Sequence, residues 1–397
     1  MPDNPGRRKF LAGLAGVTAA VAGGSVSIAS GESVGAPQTD RSSAAVPMFM
    51  YVGSFTGKDR GHGEGLSVYH RNRESDPWTL AQLLKDVADP SFLIIDRSGR
   101  HLYSAHGDGT QVTSYQVEQT TGRLTVLNQQ PTRGGNGVHL AIDATSRFLA
   151  VANYATGSLA VLPINPDGSL APLSDLATLR GTPGPHRTQQ ESSHPHHCPF
   201  DPSGRFIVVP DKGLDKVFVF RLDTARGKLV PADPPEVSAR AGAAPRHVGF
   251  HPLQPYAYVI NELDSTITTY HFEPDKGILS PLQIVPTPPP SYTGNNSGAE
   301  IAVASSGRFV YGSNRGHDSI AIFAIDQAGG TLTPIGWQST QGRTPRFFGL
   351  DPSGTHLYAA NQGSDTVVGF RVNQTTGALD ATNQIVRVAT PTTIVWR

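Results

Sequence analysis

The chain has 397 residues, 38% of them hydrophobic and 16% charged, enough apolar material for a large core and too little charge for a disordered chain. Lysine plus arginine and aspartate plus glutamate both number 32, so the charge balance argues against nucleic acid or an anionic membrane surface as a partner. A single cysteine excludes an intrachain disulfide and any multi-cysteine metal site, while 43 glycines and 32 prolines scattered along the chain are the punctuation of many short strands joined by turns.

At the start, Arg7-Arg8-Lys9-Phe10-Leu11 forms a twin-arginine pattern, followed by the uncharged, small and apolar run Ala12 to Ala29. Its weak hydrophobicity fits an export signal of the route that carries folded proteins better than a membrane anchor. The expectation is a signal and leader over 1–36, cleaved after Ala29 or Ala36, a flexible linker over 37–48, and a single domain over 49–397. A periplasmic protein without membrane association after signal removal follows.

Beyond the leader the chain repeats. Six segments share an apolar strand, a D-P-S-G-R-like turn and a second apolar strand, anchored at Asp96, Asp143, Asp201, His251, Ala304 and Asp351. A spacing of about 50 residues with several strands per copy is the signature of propeller blades. First strands read PSFLIID from Pro90, PHHCPFD from Pro195, PRHVGFH from Pro245 and PRFFGLD from Pro345. Second strands read HLYSAH from His101, FLAVAN from Phe148, FIVVPD from Phe206, YAYVIN from Tyr256, FVYGSN from Phe309 and LYAANQ from Leu357. Third strands alternate with period two, as in KVFVFRL from Lys216, and turns with Gly122, Gly168, Gly227, Gly277 and Gly377 open the fourth. PTTIVWR from Pro391 is one more first strand, and FMYVGSF from Phe49 is a second strand without its first. The fold expected is an all-β, seven-bladed β-propeller of four antiparallel strands per blade, whose closing blade combines N- and C-terminal strands and so removes open sheet edges.

First strands line the central channel of such a ring. Five and four places before the anchors stand Ser91/Phe92, Val138/His139, His196/His197, Arg246/His247, Ala299/Glu300 and Arg346/Phe347; eleven places after four of the anchors stand Tyr154, Lys212, Glu262 and Arg315. Charged and imidazole groups at equivalent positions of different blades converge on the axis and mark a site there. His139 and His247 also fit the reading of satisfied core histidines. Cys198, between His197 and Pro199, reads as a small buried filler rather than a nucleophile. Neighbours on a strand point to opposite faces, so His196 and His197 are expected to diverge; with no carboxylate beside them, neither a metal nor a cofactor is assigned. His62, His186 and His317 lie in turns and are expected to be solvated, and Asp96, Asp143, Asp201 and Asp351 are turn formers.

The stretches HPHHCPFDPSGRF from His194, PRHVGFHP from Pro245, YVINELDST from Tyr258, VYGSNRGHDSI from Val310 and TPRFFGLDPSG from Thr344 resemble the bacterial lactonases of the seven-bladed propeller type. The members of the family that the chain resembles include a 6-phosphogluconolactonase and fungal muconate-lactonising enzymes, and the likeness runs from about Phe49 to the end of the chain. The resemblance implies a small-molecule lactone substrate and a site of one histidine, two arginines and one glutamate, here His196 (or His197), Arg246, Glu262 and Arg315. His139, His197, His247, Glu300 and Arg346 are the candidate substrate-binding residues around it. The repeat departs from the usual turn at Ala144-Thr145-Ser146-Arg147 and at Ala304-Ser305-Ser306-Gly307, and an export signal is out of place for a cytosolic phosphosugar.

Opening a lactone requires a water, a base and positive charge at the developing oxyanion. Arginines hold a carboxylate or phosphate by paired hydrogen bonds, and His196 is the better base because a glutamate flanked by arginines is made less basic. The same groups serve the reverse sense, cyclisation of a muconate-type acid, and a non-catalytic binding propeller is the third alternative.

Overall fold

The computed structural model describes residues 48–397. The expected export signal, and the linker except for its last residue, lie outside the described residues. Blade 1 is built from Pro90–Ile95, His101–His106, Gln111–Val117 and Leu124–Pro131; blade 2 from Gly137–Ile142, Phe148–Asn153, Ser158–Pro163 and Asp175–Thr178. Blade 3 contains Phe206–Asp211, Lys216–Asp223 and Lys228–Ser238, and blade 4 contains Pro245–Phe250, Tyr256–Asn261, Thr266–Glu273 and Ile278–Pro286. Blade 5 runs through Ser297–Val303, Phe309–Arg315, Ser319–Ile325 and Leu332–Ser339, and blade 6 through Pro345–Leu350, His356–Asn361, Thr366–Val372 and Leu379–Arg387. Blade 7 sets Pro391–Trp396 against Met48–Ser54, with Leu66–Arg71 and Thr79–Leu84 outside them. Seven antiparallel sheets thus close a propeller, and Tyr51 pairs with Val395 across the expected junction.

The turns explain the repeat. Asp201 Oδ1 accepts the backbone N–H groups of Arg205 (2.9 Å) and Phe206 (2.8 Å), so one carboxylate holds the tight corner between first and second strands. In the copy with histidine at this place, His251 Nδ1 does the same for Leu253 (3.1 Å) and Gln254 (2.9 Å). The apolar faces of adjacent blades pack on one another; Tyr258 and Ile260 of blade 4, for example, join Val310 and Phe323 of blade 5 in one cluster. Hydroxyls finish several of these seams, as where Tyr258 donates to the Gly330 carbonyl at 3.0 Å. Gly330 has φ of 69°, and a Cβ there would come within 2.4 Å of the Tyr256 ring, so both the turn and the seam require glycine.

The innermost strands share a defect that decides what faces the axis. In blade 4, Pro245 pairs with Asn261 but His247 with Ile260, leaving Arg246 as an extra residue; Ser91, Val138 and Arg346 are the extra residues of blades 1, 2 and 6. A bulge bends its strand and re-aims the side chains on either side. Blade 3 departs furthest. The expected first strand from Pro195 keeps only two isolated bridges, Pro195 to Asp211 and Phe200 to Ile207, because Pro195, Pro199 and the facing Pro210 have no N–H to give to a ladder. Its path still follows that of the other inner strands, with His196 N donating to Pro210 O at 3.0 Å.

Candidate active site

Glu262 ends the second strand of blade 4 and gathers three cations, one from each of blades 3, 4 and 5. Lys212 Nζ donates to its Oε1 at 2.8 Å, Arg315 reaches the same oxygen at 3.3 Å, and Arg246 Nε lies 3.1 Å from Oε2. All four side chains are buried or nearly so, and the arginines are held in turn by main-chain carbonyls: Arg246 by Ala299 O at 2.6 Å and Arg315 by Gly298 O at 2.9 Å. Burial alone would raise the Glu262 carboxyl, but Arg315, Lys212 and Arg246 outweigh it and hold it well below the ordinary carboxylate range. Burial and neighbouring Arg315 bring Arg246 down to about 10, which still leaves it charged at neutral pH.

Glu300, on the inner strand of blade 5, is also buried yet has the opposite character. Its Oε1 lies 2.8 Å from His247 Nδ1 and accepts the Ile301 N–H at 3.0 Å. Burial pushes it up to about 8, against the smaller pull of Arg246, the Ile301 N–H and Arg346. His247 Nε2 is 3.2 Å from His196 Nδ1, His197 stacks on His247 at 4.2 Å, and His139 meets His197 edge-on at 3.8 Å. All four imidazoles have their proton affinity driven well down, first by burial and then by neighbouring histidines and arginines. The expectation that His196 and His197 diverge is corrected: the irregular backbone of blade 3 turns both rings against His247.

Two of the imidazoles are fixed by the main chain. His197 Nδ1 accepts the Val248 N–H and His139 Nδ1 accepts the Cys198 N–H, both at 3.2 Å, so each carries its proton on Nε2. Cys198 is fully buried behind His139, and burial raises its thiol far above the ordinary range, as expected of a filler. Among the described residues no group of three His, Cys, Asp or Glu side chains is arranged to hold a metal ion. Of the three turn histidines, His62 and His186 are exposed, whereas His317 is half-buried and bonded to Ser319.

A cavity on the axis is lined by His196, Arg246, His247, Glu300, Arg346 and the apolar Phe92, Val138 and Phe347 among others. His139 and His197 stand outside that lining. The Arg346 guanidinium has neither hydrogen bond nor ion pair among the described residues and lies 5.1 Å from the centre of the Phe55 ring, with Arg60 at 4.1 Å from it. Lys212 was visible in the sequence at the position shared with Glu262 and Arg315, but its role as a third cation on Glu262 was not. Phe55 and Arg60 were missed, since they belong to the loop after Met48–Ser54, where no repeat anchor points to them. The charge around the cavity is thus mainly positive, with one carboxylate already neutralised and one held protonated.

This chain belongs to the family of seven-bladed β-propeller lactonases, whose model (Lactonase, 7-bladed beta-propeller) matches residues 49–396. A 6-phosphogluconolactonase of Bacillus subtilis is 35% identical over 307 residues, covering 76% of this chain and 85% of that one. A 6-phosphogluconolactonase of Formosa agariphila is 31% identical, covering 77% of this chain and 86% of its own. Among solved structures, the periplasmic gluconolactonase of Pseudomonas aeruginosa superposes with a TM-score of 0.80 at 30% identity, over 88% of this chain and 99% of that one.

Proposed function

We propose that this lactonase hydrolyses a sugar or carboxylated lactone held against the axial cavity, which itself has room for about one water, with His196 as general base and Arg246, Arg315 and Arg346 as the positive charge that binds the anionic group and steadies the oxyanion. The observation that carries this reading is the pairing of an imidazole with an uncommitted guanidinium in one cavity. His196 Nε2 has no hydrogen-bond partner among the described residues, and His196 lines the same cavity as Arg246 and Arg346. The names of the relatives agree with the substrate class.

Water attacks the lactone carbonyl as its proton passes to His196; the tetrahedral oxyanion is met by guanidinium, and ring opening returns a proton to the leaving alkoxide. Glu262 orients its three cations, and its low proton affinity makes it a poor base. The test is a panel of gluconolactone, its 6-phosphate, aliphatic lactones and muconates, assayed with and without chelator on the wild type, His196→Ala and Glu262→Gln. Loss of turnover with binding preserved in His196→Ala supports the assignment. Cyclisation of a muconate without lactone hydrolysis, loss of activity on chelation, or full activity in both variants would overturn it. The Arg7-Arg8 leader and the periplasmic relative support an exported enzyme; retention in the cytoplasm of a chain with both arginines replaced by lysine is the expected result.

A further inference from the structure

Three side chains from the inner segments of three successive blades form one hydrogen-bonded line: Glu300 Oε1 to His247 Nδ1 at 2.8 Å, and His247 Nε2 to His196 Nδ1 at 3.2 Å. The line ends at His196 Nε2, on the cavity. Each imidazole bridges with both nitrogens or leaves one for substrate, so one proton position determines all the others. With Glu300 ionised, His247 donates from Nδ1, His196 donates from its own Nδ1, and His196 Nε2 is a bare lone pair. With Glu300 protonated, the carboxyl donates to His247 Nδ1, His247 donates from Nε2, and His196 carries its proton on Nε2. The walls of the line do not take part, because backbone N–H groups already occupy Nδ1 of His197 and of His139.

We propose that Glu300 is the resting place of the proton removed from the hydrolytic water, reached from His196 through His247. In that step the water O–H bond breaks and a bond to His196 Nε2 forms. The Nδ1 proton of His196 moves to His247 Nε2, the Nδ1 proton of His247 moves to Glu300 Oε1, and hydroxide joins the carbonyl carbon. Ring opening runs the line backwards, and the alkoxide oxygen takes the proton from His196 Nε2. Atoms and charge balance without an imidazolium at any point. That matters here, since His196 faces Arg246, Arg346 and Lys212, and His247 faces Arg246, Arg346 and Arg315, opposed by Glu262 and, when it is ionised, by Glu300. A positive ring among these groups is costly, whereas a buried carboxyl set against the same Arg246 and Arg346 keeps a proton readily, its affinity raised to about 8. In the serine hydrolase triad the carboxylate stays ionised, whereas for Glu300 burial outweighs the pull of Arg246, the Ile301 N–H and Arg346 and favours the proton. Glu300 and His247 act through His196 and are positioning residues.

The inference rests on His196 as the base, and two readouts separate its failure from that one. In wild-type enzyme, kcat/KM should rise with pH through an apparent value near 8 as Glu300 ionises. Glu300→Gln should lose that step and about 10²-fold in kcat with little change in KM, and Glu300→Asp should restore part of both. Nitrogen NMR of histidine-labelled protein, without substrate, should show His247 exchanging its Nε2–H form for the Nδ1–H form over the same range, and not in Glu300→Gln. A Glu300→Gln enzyme that keeps the wild-type pH step, or a His247 that never changes tautomer, overturns the relay. Undiminished turnover in His196→Ala overturns the base assignment, while the tautomer measurement still decides whether the line conducts.

Discussion

Glu262 and Glu300 stand one blade apart at the same axis, both buried, and differ in everything that follows from their neighbours. Glu262 is enclosed by Lys212, Arg246 and Arg315 and stays an anion; Glu300 has a single imidazole, His247, as its side-chain partner, feels Arg246 and Arg346 less strongly than its burial, and keeps its proton to about 8. Burial is common to the two, so contact decides: three cations in direct contact offset the loss of water around the Glu262 carboxylate, and one neutral ring with Arg246 and Arg346 beyond contact does not do so for Glu300.

Arg246 is where that contrast should break most visibly, because it faces both carboxylates. Arg246→Ala should cost about 10² to 10³ in turnover and about 3 to 5 kcal/mol of stability, measured by steady-state kinetics and urea unfolding. Glu262→Gln comes next: three cations lose their counter-charge, and a stability loss of about 3 kcal/mol is expected near neutral pH. Lys212→Met removes one cation of three and keeps much of the stem, so about 2 kcal/mol is expected with a modest fall in rate. Glu300→Gln exchanges one neutral group for another near pH 6 and should cost under about 1 kcal/mol.

The pH dependence of stability sharpens the same contrast. A carboxyl raised by folding contributes stability that is full below its ordinary value of 4.5 and is lost as pH rises through about 8, so Glu300 should lower the melting temperature as pH rises from about 4.5 to about 8 and Glu300→Gln should flatten that slope. Glu262 has the reverse sign: its contribution is full above 4.5 and disappears as acid protonates the folded carboxylate. Thermal melts of both variants, run from strong acid, where Glu262 acts, up to about pH 9, past the Glu300 step, would show whether the two groups carry opposite slopes.

The architecture could be read from the chain because turn anchors, aspartate in four blades and His251 or Ala304 in two others, recur at about 50-residue spacing and the strands on either side keep their alternation. Even the junction of the two ends was visible, as a missing first strand at one end and a spare one at the other. The site was legible only as positions. His196, Arg246, Glu262 and Arg315 were found by their register against the anchors, but register alone sends adjacent residues to opposite faces. His196 and His197 lie against one histidine because the proline-interrupted segment of blade 3 forms no regular ladder; the prolines were visible in the chain, but the direction in which they turn the two rings was not. Nor does the identity of a glutamate tell which neighbours surround it. The different fates of Glu262 and Glu300 depend on residues from the blades on either side.

The pairing of Met48–Ser54 with Pro391–Trp396 has a consequence for how the molecule comes into being. Single blades join segments close along the chain and can form while it is still emerging from the ribosome. The clasp joins segments separated by nearly the whole domain, and its loop-closure entropy falls due only at the end. The axial cavity, lined by contributions from every blade, therefore acquires its final shape at that last event, and no nascent fragment carries it complete.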